Sequence, residues 1–546
     1  MNAAPARMGA LGLIAKIIGC ALLAYWGLYA VVAPVTNIDS QMYHLARLEL
    51  ALRGGLFDNP WFTSVYDLMW PWTFDAVHLP FLELGWGYAL PGFACLAGTC
   101  FVVHAMLRAR FGPEAAWVAV AGLLGLTCLV YQGTSTKNDI PLVFCGAAWA
   151  YARWRWRREG SNAHLFWMVL AVGFMAGAKT TGALYAIVLS AWMLWDLRSK
   201  PRLLGRVVAG LAVAVVLFGS GETYLESARV LGHPLGPPDY VGGLKNSDGV
   251  RGGVANLSRY IAGSIYLGPT PVGETRGPVM AVVKAEQSFL TRTGLRNRGM
   301  AARTSDSTLF FFQSGLEELS GFGPVGTLAM ATMLAAALRW RPRALWWRLA
   351  AVAFAGLLLV SFTVGYSYWG NRYLIGWYAL GSVACVCALW EHDGAAWRFL
   401  RGVFAVCAMA SAAAAPLLSF NRGPAALVAS LAERDHFETS AYPLAGRVRE
   451  RLRVLHRAHP AGRVYFVVCN DSLVLPLLRD PGLGAVLVTP DRFLALTASG
   501  QVARGDLVIE DYPSGSAVLI PVEEVTAPDI FSKGQVRKQI IYTVGR

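Results

Sequence analysis

Ile17-Ile18-Gly19-Cys20-Ala21-Leu22-Leu23-Ala24-Tyr25-Trp26-Gly27-Leu28-Tyr29-Ala30-Val31-Val32-Ala33-Pro34-Val35 is an apolar run without a single charge. It is long enough to cross a bilayer as a helix. The polar stretch Asn37-Ile38-Asp39-Ser40-Gln41-Met42-Tyr43-His44-Leu45-Ala46-Arg47 follows almost at once, so it belongs at the membrane surface. Read as a helix, it sets Asp39, Tyr43 and Arg47 on one face at i, i+4, i+8 spacing. Met42, Leu45, Leu48 and Leu52 then form an apolar stripe suited to lying on the membrane. Two readings of Asp39 stand open: a helix N-cap, or a carboxylate pinned where chemistry can use it.

Composition agrees with a chain that crosses the bilayer many times. Of its 546 residues, 55% are hydrophobic and 15% charged, with a mean hydropathy of +0.44. Soluble domains carry about a quarter charged residues, so the chain reads as a polytopic membrane protein. The net charge of +14 comes largely from short clusters between apolar runs, where it signals topology, and nucleic-acid binding is not expected. Nine cysteines are present, eight of them in or beside apolar runs. Neither Cys95/Cys100 nor Cys385/Cys387 has metal-ligand spacing with nearby histidines, and Cys469 stands alone. The first apolar run lacks a small-residue cleavage site after it, so it reads as a retained span rather than a removed leader.

Apolar stretches near 17–35, 80–107, 115–132, 139–152, 164–178, 182–197, 206–221, 321–338, 347–366, 373–390 and 402–418 predict about eleven transmembrane helices. Lys179-Thr180-Thr181-Gly182 either divides two spans or sits inside one re-entrant unit. Alternating the loops places Arg108/Arg110, the arginines from Arg153 to Arg158, Arg198/Lys200/Arg202, Arg339/Arg341/Arg343 and Arg398/Arg401 on one side. The positive-inside rule makes that side cytoplasmic, together with the N-terminus.

The opposite, periplasmic side then carries a first loop over 34–79, which includes Trp61, Asp67, Trp70, Trp72, Asp75 and His78. It also carries short turns at 132–139, 178–181 and 366–373, and a Gly/Pro-rich loop over 222–320. The expected organisation is a transmembrane domain over 1–420 and a periplasmic α/β domain over 421–546. In the latter, 463–468, 484–488 and 506–509 read as strands of a parallel sheet, with a short helix over 472–478. Asn470-Asp471-Ser472 reads as a helix cap or a ligand contact.

The side chains with chemical potential lie in the turns. Lys137, Lys179 and Arg372 each stand at the mouth of a span on the side that the positive-inside rule depletes of cations. Converging there, they would hold a phosphate whose lipid tail lies between helices, and would stabilise the charge on a leaving phosphate. Isolated snorkelling is the ordinary alternative. Asp139 beside Lys137 would orient an acceptor, help to bind a metal, or pair with Lys137. His44 and His78 read as acid/base groups or as locally satisfied histidines. The Trp-rich segment 61–72 reads as an interfacial aromatic belt or a sugar-stacking surface.

Asp39-Ser40-x-x-Tyr43-His44-x-x-Arg47, then Thr134-Ser135-Thr136-Lys137-Asn138-Asp139, Ala176-Gly177-Ala178-Lys179-Thr180-Thr181-Gly182 and Asn371-Arg372-Tyr373-Leu374 together resemble bacterial membrane glycosyltransferases of the GT-C superfamily. The likeness is to the glycosyltransferase 39 group of protein O-mannosyltransferases and aminoarabinose transferases, and it covers 1–420. It implies a hexosyl-type transferase of the inner membrane that uses a polyprenyl-phosphate sugar, with a protein, lipid or glycan as acceptor. It makes Asp39 the base or the group that orients the acceptor, with the base the role expected here, and Lys137, Lys179 and Arg372 the ligands of the lipid phosphate. Tyr43, His44, Arg47, Asp139 and Tyr373, within the same motifs, are expected to bind substrate. Many relatives carry two adjacent acids in the first loop. Here the second is Ser40, which leaves the cofactor, a divalent metal included, and the acceptor class open.

Two rival functions compete. A transporter or flippase of a lipid-linked or anionic substrate would line its path with the same three cations. It would also be expected to carry mid-span charges and an inverted repeat, neither of which is visible. A scaffold protein acting through its C-terminal domain would have no need of Asp39.

Overall fold

The computed structural model describes residues 8–33, 35, 39–54, 68–246, 248–265, 278–295, 321–366, 370–419, 422–432, 443–458, 462–467, 475, 480, 482–484, 486–488, 490–504, 506–510, 519–528 and 536–544. Trp61, Asp67, the 367–369 turn, the Asn470-Asp471-Ser472 motif and most of the helix expected at 472–478 lie outside them.

Helices occupy all eleven apolar stretches. In chain order they begin with α1 (Ala10–Val32), a π-helical turn (Ser40–His44), α2 (Leu45–Gly54), a 3₁₀ turn (Asp75–His78) and α3 (Leu79–Leu84). The bundle continues through α4 (Leu90–Phe111), α5 (Pro113–Leu124), α6 (Thr127–Gly133), α7 (Ile140–Glu159), α8 (Asn162–Ala178), α9 (Gly182–Leu197) and α10 (Pro201–Phe218). Four helices, α11 (Gly221–Leu231), α12 (Pro238–Leu244), α13 (Gly249–Gly263) and α14 (Pro278–Arg292), fill much of the stretch expected as a Gly/Pro-rich loop. The bundle closes with α15 (Gly323–Leu338), α16 (Leu345–Thr363), α17 (Asn371–Glu391) and α18 (Ala395–Leu418).

Among the described residues six helices are long and apolar enough to cross a membrane, or seven if α5 and α6 form one broken span. These two meet at a 76° bend beside Gly125, where an added Cβ would lie 2.9 Å from the Ala408 carbonyl oxygen. The other expected spans are the shorter apolar helices α8, α9 and α15, and α7, whose last turns carry four arginines. Lys179 sits in extended backbone directly after α8, so the 179–182 segment divides two helices.

Small residues let the helices approach closely. A Cβ on Gly356 of α16 would fall 2.2 Å from the Trp377 ring of α17. Trp377 in turn stacks on Tyr185 of α9, with ring centroids 4.1 Å apart. The Tyr185 hydroxyl donates to the Tyr373 carbonyl (2.9 Å) and accepts from the Gly376 amide (3.2 Å). These bonds fix the first turn of α17, which carries Arg372, against α9.

After α18 come α19 (Pro424–Ala432), α20 (Pro443–Ala458), β1 (Val464–Val467), β2 (Val486–Val488), α21 (Pro490–Ala498), β3 (Leu507–Glu510), β4 (Leu519–Pro528) and β5 (Val536–Val544). The sheet order is β2-β1-β3-β5-β4. The expected parallel pairing holds for β1 with β2 and with β3, whereas β5 runs antiparallel to both β3 and β4. The sheet is therefore mixed. Charges within 519–544 (Glu523, Glu524, Arg537, Lys538) hide the last two strands from an apolar-run reading.

The apolar stripe of α2 has a different partner from the one expected. Leu45, Leu48 and Leu50 are buried in one cluster with Val448 and Leu452 of α20 and with Val464, Phe466, Leu507 and Ile509 of the sheet. The helix is thus packed beneath the C-terminal sheet, and Leu52 alone of the stripe is exposed.

Candidate functional site

The turn that carries Asp39 is built for an unusual wall shape. Ser40–His44 is π-helical, with the Leu45 amide donating to the Ser40 carbonyl, so each side chain is rotated from its α-helical position. Two bonds pin the turn: the Ser40 hydroxyl meets that of Thr136, and Gln41 Nε2 donates to the Val35 carbonyl (2.7 Å). The first loop is thereby fastened to the 134–139 turn before α7.

Across that junction lie the residues that the sequence singled out. Arg372 Nη1 donates to Asp39 Oδ2 at 2.6 Å, and Lys137 Nζ lies 3.2 Å from the same oxygen. Lys179 Nζ donates to Asp139 Oδ1 at 2.5 Å and stands 5.3 Å from the Tyr373 ring centre. Three cations and two carboxylates thus alternate, with positive charge in excess. The Lys137 side chain is fully buried, and those of Asp39, Lys179 and Arg372 are 15%, 11% and 12% exposed.

Burial works to raise the Asp39 pKa, but the Lys137 and Arg372 charges outweigh it and hold the carboxyl well below the usual range. Burial pushes the Lys179 ammonium down to about 8, although Asp139 opposes the shift. Tyr43 is driven well above its ordinary value by burial and by the Asp39 charge, so its phenol stays protonated.

A cavity of about 190 Å³ opens beside this cluster. Tyr43, His44, Trp70, Asn138, Lys179, Thr180, Thr181, Arg372 and Tyr373 form its polar wall, and Leu235, Val241 and Leu244 from the α11–α12 region form an apolar one. Of the cations that line it, Arg372 pairs with Asp39 and Lys179 with Asp139, while Lys137 lies against the same Asp39 oxygen as Arg372. On the bundle side, beneath the Tyr185–Tyr373 link, runs an almost wholly apolar slot between α4, α7, α9 and α17.

Arg47 is fully buried and donates to the Trp70 and Pro71 carbonyls (2.7 and 2.9 Å) and to Asp75. It turns away from the cavity, because the π turn breaks the regular spacing with Asp39 and Tyr43 that an α-helix would impose. His44 lines the cavity while its Nδ1 lies 3.0 Å from both Asp75 oxygens. Burial raises the Asp75 pKa, yet Arg47 and His44 reverse this and leave it below the ordinary value. Burial pushes His78 down to about 4, so it is a neutral core histidine at pH 7.

The sequence reading missed Arg422, which is fully buried. Its Nε donates to Thr134 Oγ1 at 3.1 Å, and its guanidinium faces Tyr131 and Tyr29. A lone Arg in an Asn-Arg-Gly-Pro turn gives little signal by itself. Lys245, an exposed fourth cation on the cavity rim, was also missed within the long loop. Among the described residues no three His, Cys, Asp or Glu side chains converge as a metal site.

Residues 64–220 match the family described as dolichyl-phosphate-mannose-protein mannosyltransferase. No curated protein matches the chain. Among solved structures, ArnT from Cupriavidus metallidurans in the apo state superposes with a TM-score of 0.51 at 14% identity, over 97% of each chain. The same protein bound to undecaprenyl phosphate gives 0.51 and 14%, over 98% of each. The resemblance read from the motifs is borne out at this level: the chain is a multi-pass membrane protein with the fold of the GT-C superfamily of glycosyltransferases.

Proposed function

We propose that the protein transfers a sugar from a polyprenyl-phosphate donor to an acceptor hydroxyl, at a site facing the periplasm. The observation that carries this reading is the Asp39 carboxylate held between Lys137 and Arg372, with Lys179 across the adjoining cavity. Undecaprenyl phosphate bound to the ArnT fold supports the class of donor. In this reading residues 1–420 form the catalytic membrane domain and residues 421–546 a periplasmic α/β domain, with the N-terminus in the cytoplasm.

The donor phosphate occupies the cavity against Arg372 and Lys179. An arriving phosphate competes with Asp39 for Arg372, and weakening that pair raises the basicity of the carboxylate. The acceptor oxygen attacks the anomeric carbon as the bond from that carbon to the phosphate oxygen breaks. The bonding electrons leave with the lipid phosphate, and the acceptor proton passes to Asp39. The cations stabilise the growing charge on the phosphate more strongly in the transition state than in the ground state, which is what accelerates the step. Displacement from the opposite face inverts the anomeric centre. Tyr43, protonated and in the wall, donates a hydrogen bond to the donor or the acceptor.

The test is label transfer from a panel of radiolabelled polyprenyl-phosphate sugars into membranes holding wild type or Asp39→Asn. A new labelled product with wild type alone supports the assignment and identifies the donor. No transfer from any donor, or equal transfer by the variant, overturns it.

A further inference from the structure

At the end of the bundle opposite Asp39, a recess of about 520 Å³ opens between α4, α7, α9, α16 and α17. Among the described residues five arginines line it, Arg110, Arg153, Arg157, Arg158 and Arg348, and no carboxylate does. Asp196 binds Arg153 and Arg157 (2.6 Å each), and Glu391 lies 3.5 Å from Arg110. These two acids leave the recess with a surplus of positive charge. Arg348 Nε is buried with no hydrogen-bond partner among the described residues. The Arg158 guanidinium lies 5.0 Å from the Trp154 ring centre, which fixes its direction.

Topological arginines ordinarily face open water at the ends of spans, whereas these surround a hollow. The hollow is continuous with the apolar slot, since Val103, Met106, Trp149, Trp192 and Val383 line both. The slot runs along α9 from Trp192 up to Tyr185, which stacks on Trp377. At 1.5 Å per residue that is about 10 Å, within the depth of one bilayer leaflet. A charged recess continuous with an apolar slot of that length matches a phosphodiester headgroup and part of one fatty acyl chain. A polyprenyl chain is far longer than the slot.

We infer that this recess binds an anionic glycerophospholipid of the leaflet remote from Asp39. Its phosphate sits among Arg110, Arg158 and Arg348, and one acyl chain lies in the slot below Tyr185. The site is separate from the proposed donor cavity and does not depend on that reading.

The test uses the full chain in phosphatidylcholine nanodiscs doped with phosphatidylglycerol bearing a diazirine on one acyl chain. After irradiation, mass spectrometry should find adducts on slot residues such as Met106, Trp192 or Val383. The triple variant R110Q/R158Q/R348Q should lose this labelling at least about tenfold. In wild type alone, unlabelled phosphatidylglycerol should compete while phosphatidylcholine does not, which keeps the test independent of how the variant folds. Equal labelling by a zwitterionic diazirine lipid, or stronger competition by polyprenyl phosphate than by phosphatidylglycerol, overturns the inference.

Discussion

The Asp39 carboxylate lies 2.6 Å from the Arg372 guanidinium, although 333 residues separate them in the chain. This ion pair, shared with Lys137, makes the proposed base and the proposed phosphate clamp a single electrostatic unit. Asp39→Asn should therefore have opposite effects on two measurements. Turnover should fall by about a hundred- to ten-thousand-fold. Binding of polyprenyl phosphate, followed by tryptophan fluorescence, should stay level or tighten, because two cations are released to the ligand. Weaker binding together with lost turnover would make Asp39 a structural counter-ion.

Lys179 gives a pH signature. With its pKa near 8, the ammonium is charged below that pH and loses its proton as the pH climbs through it. Phosphate binding should accordingly weaken above about pH 8, by up to about tenfold per pH unit for one linked proton. Lys179→Arg keeps its charge throughout this range, so its binding curve should be flat between pH 7 and 9. An unchanged slope in that variant would place the titration elsewhere.

Arg47 is expected to act on stability. Its removal strands the Asp75 carboxylate and two carbonyls in a buried site, a change that costs about 3–5 kcal/mol for a buried charge pair. Arg47→Ala should lower the detergent-solution melting temperature clearly, and turnover should fall in proportion to the folded fraction. A variant with unaltered melting and lost turnover would return Arg47 to the chemistry.

Leu48 tests the contact between α2 and the C-terminal sheet. Fully buried in that cluster, it should cost about 2–5 kcal/mol when cut to Ala. Limited proteolysis should then cleave the C-terminal segment faster in Leu48→Ala than in wild type. Leu52→Ala, on the exposed side of the same helix, should leave cleavage unchanged.

The bundle was legible because burial in lipid leaves a linear record: apolar length marks a helix, and arginine clusters mark its ends. Lys137, Lys179 and Arg372 were legible because cations are scarce in the turns where they stand. The contacts of Arg47 with Trp70, Pro71 and Asp75 were not legible, because a π turn has no signature in residue type and one wide turn reorients every later side chain. The partner of α2 was hidden for another reason. Leu45 and Leu48 specify an apolar surface, and a lipid headgroup layer and a β-sheet ask the same of a sequence. Arg422 and the antiparallel half of the sheet gave only isolated signals that acquire meaning through distant contacts.

The ties of the first loop also set an order of events during synthesis. Asp39, Ser40 and Leu48 leave the ribosome early, yet their partners lie at Lys137 and Thr136, then at Arg372, and finally in strands near the end of the chain. The first loop therefore gains its partners in chain order, Thr136 and Lys137 first, Arg372 next and the C-terminal sheet last. A chain interrupted before β3 would already hold the Arg372, Lys137 and Thr136 partners of Asp39 and Ser40, and would lack only part of the surface that covers Leu48.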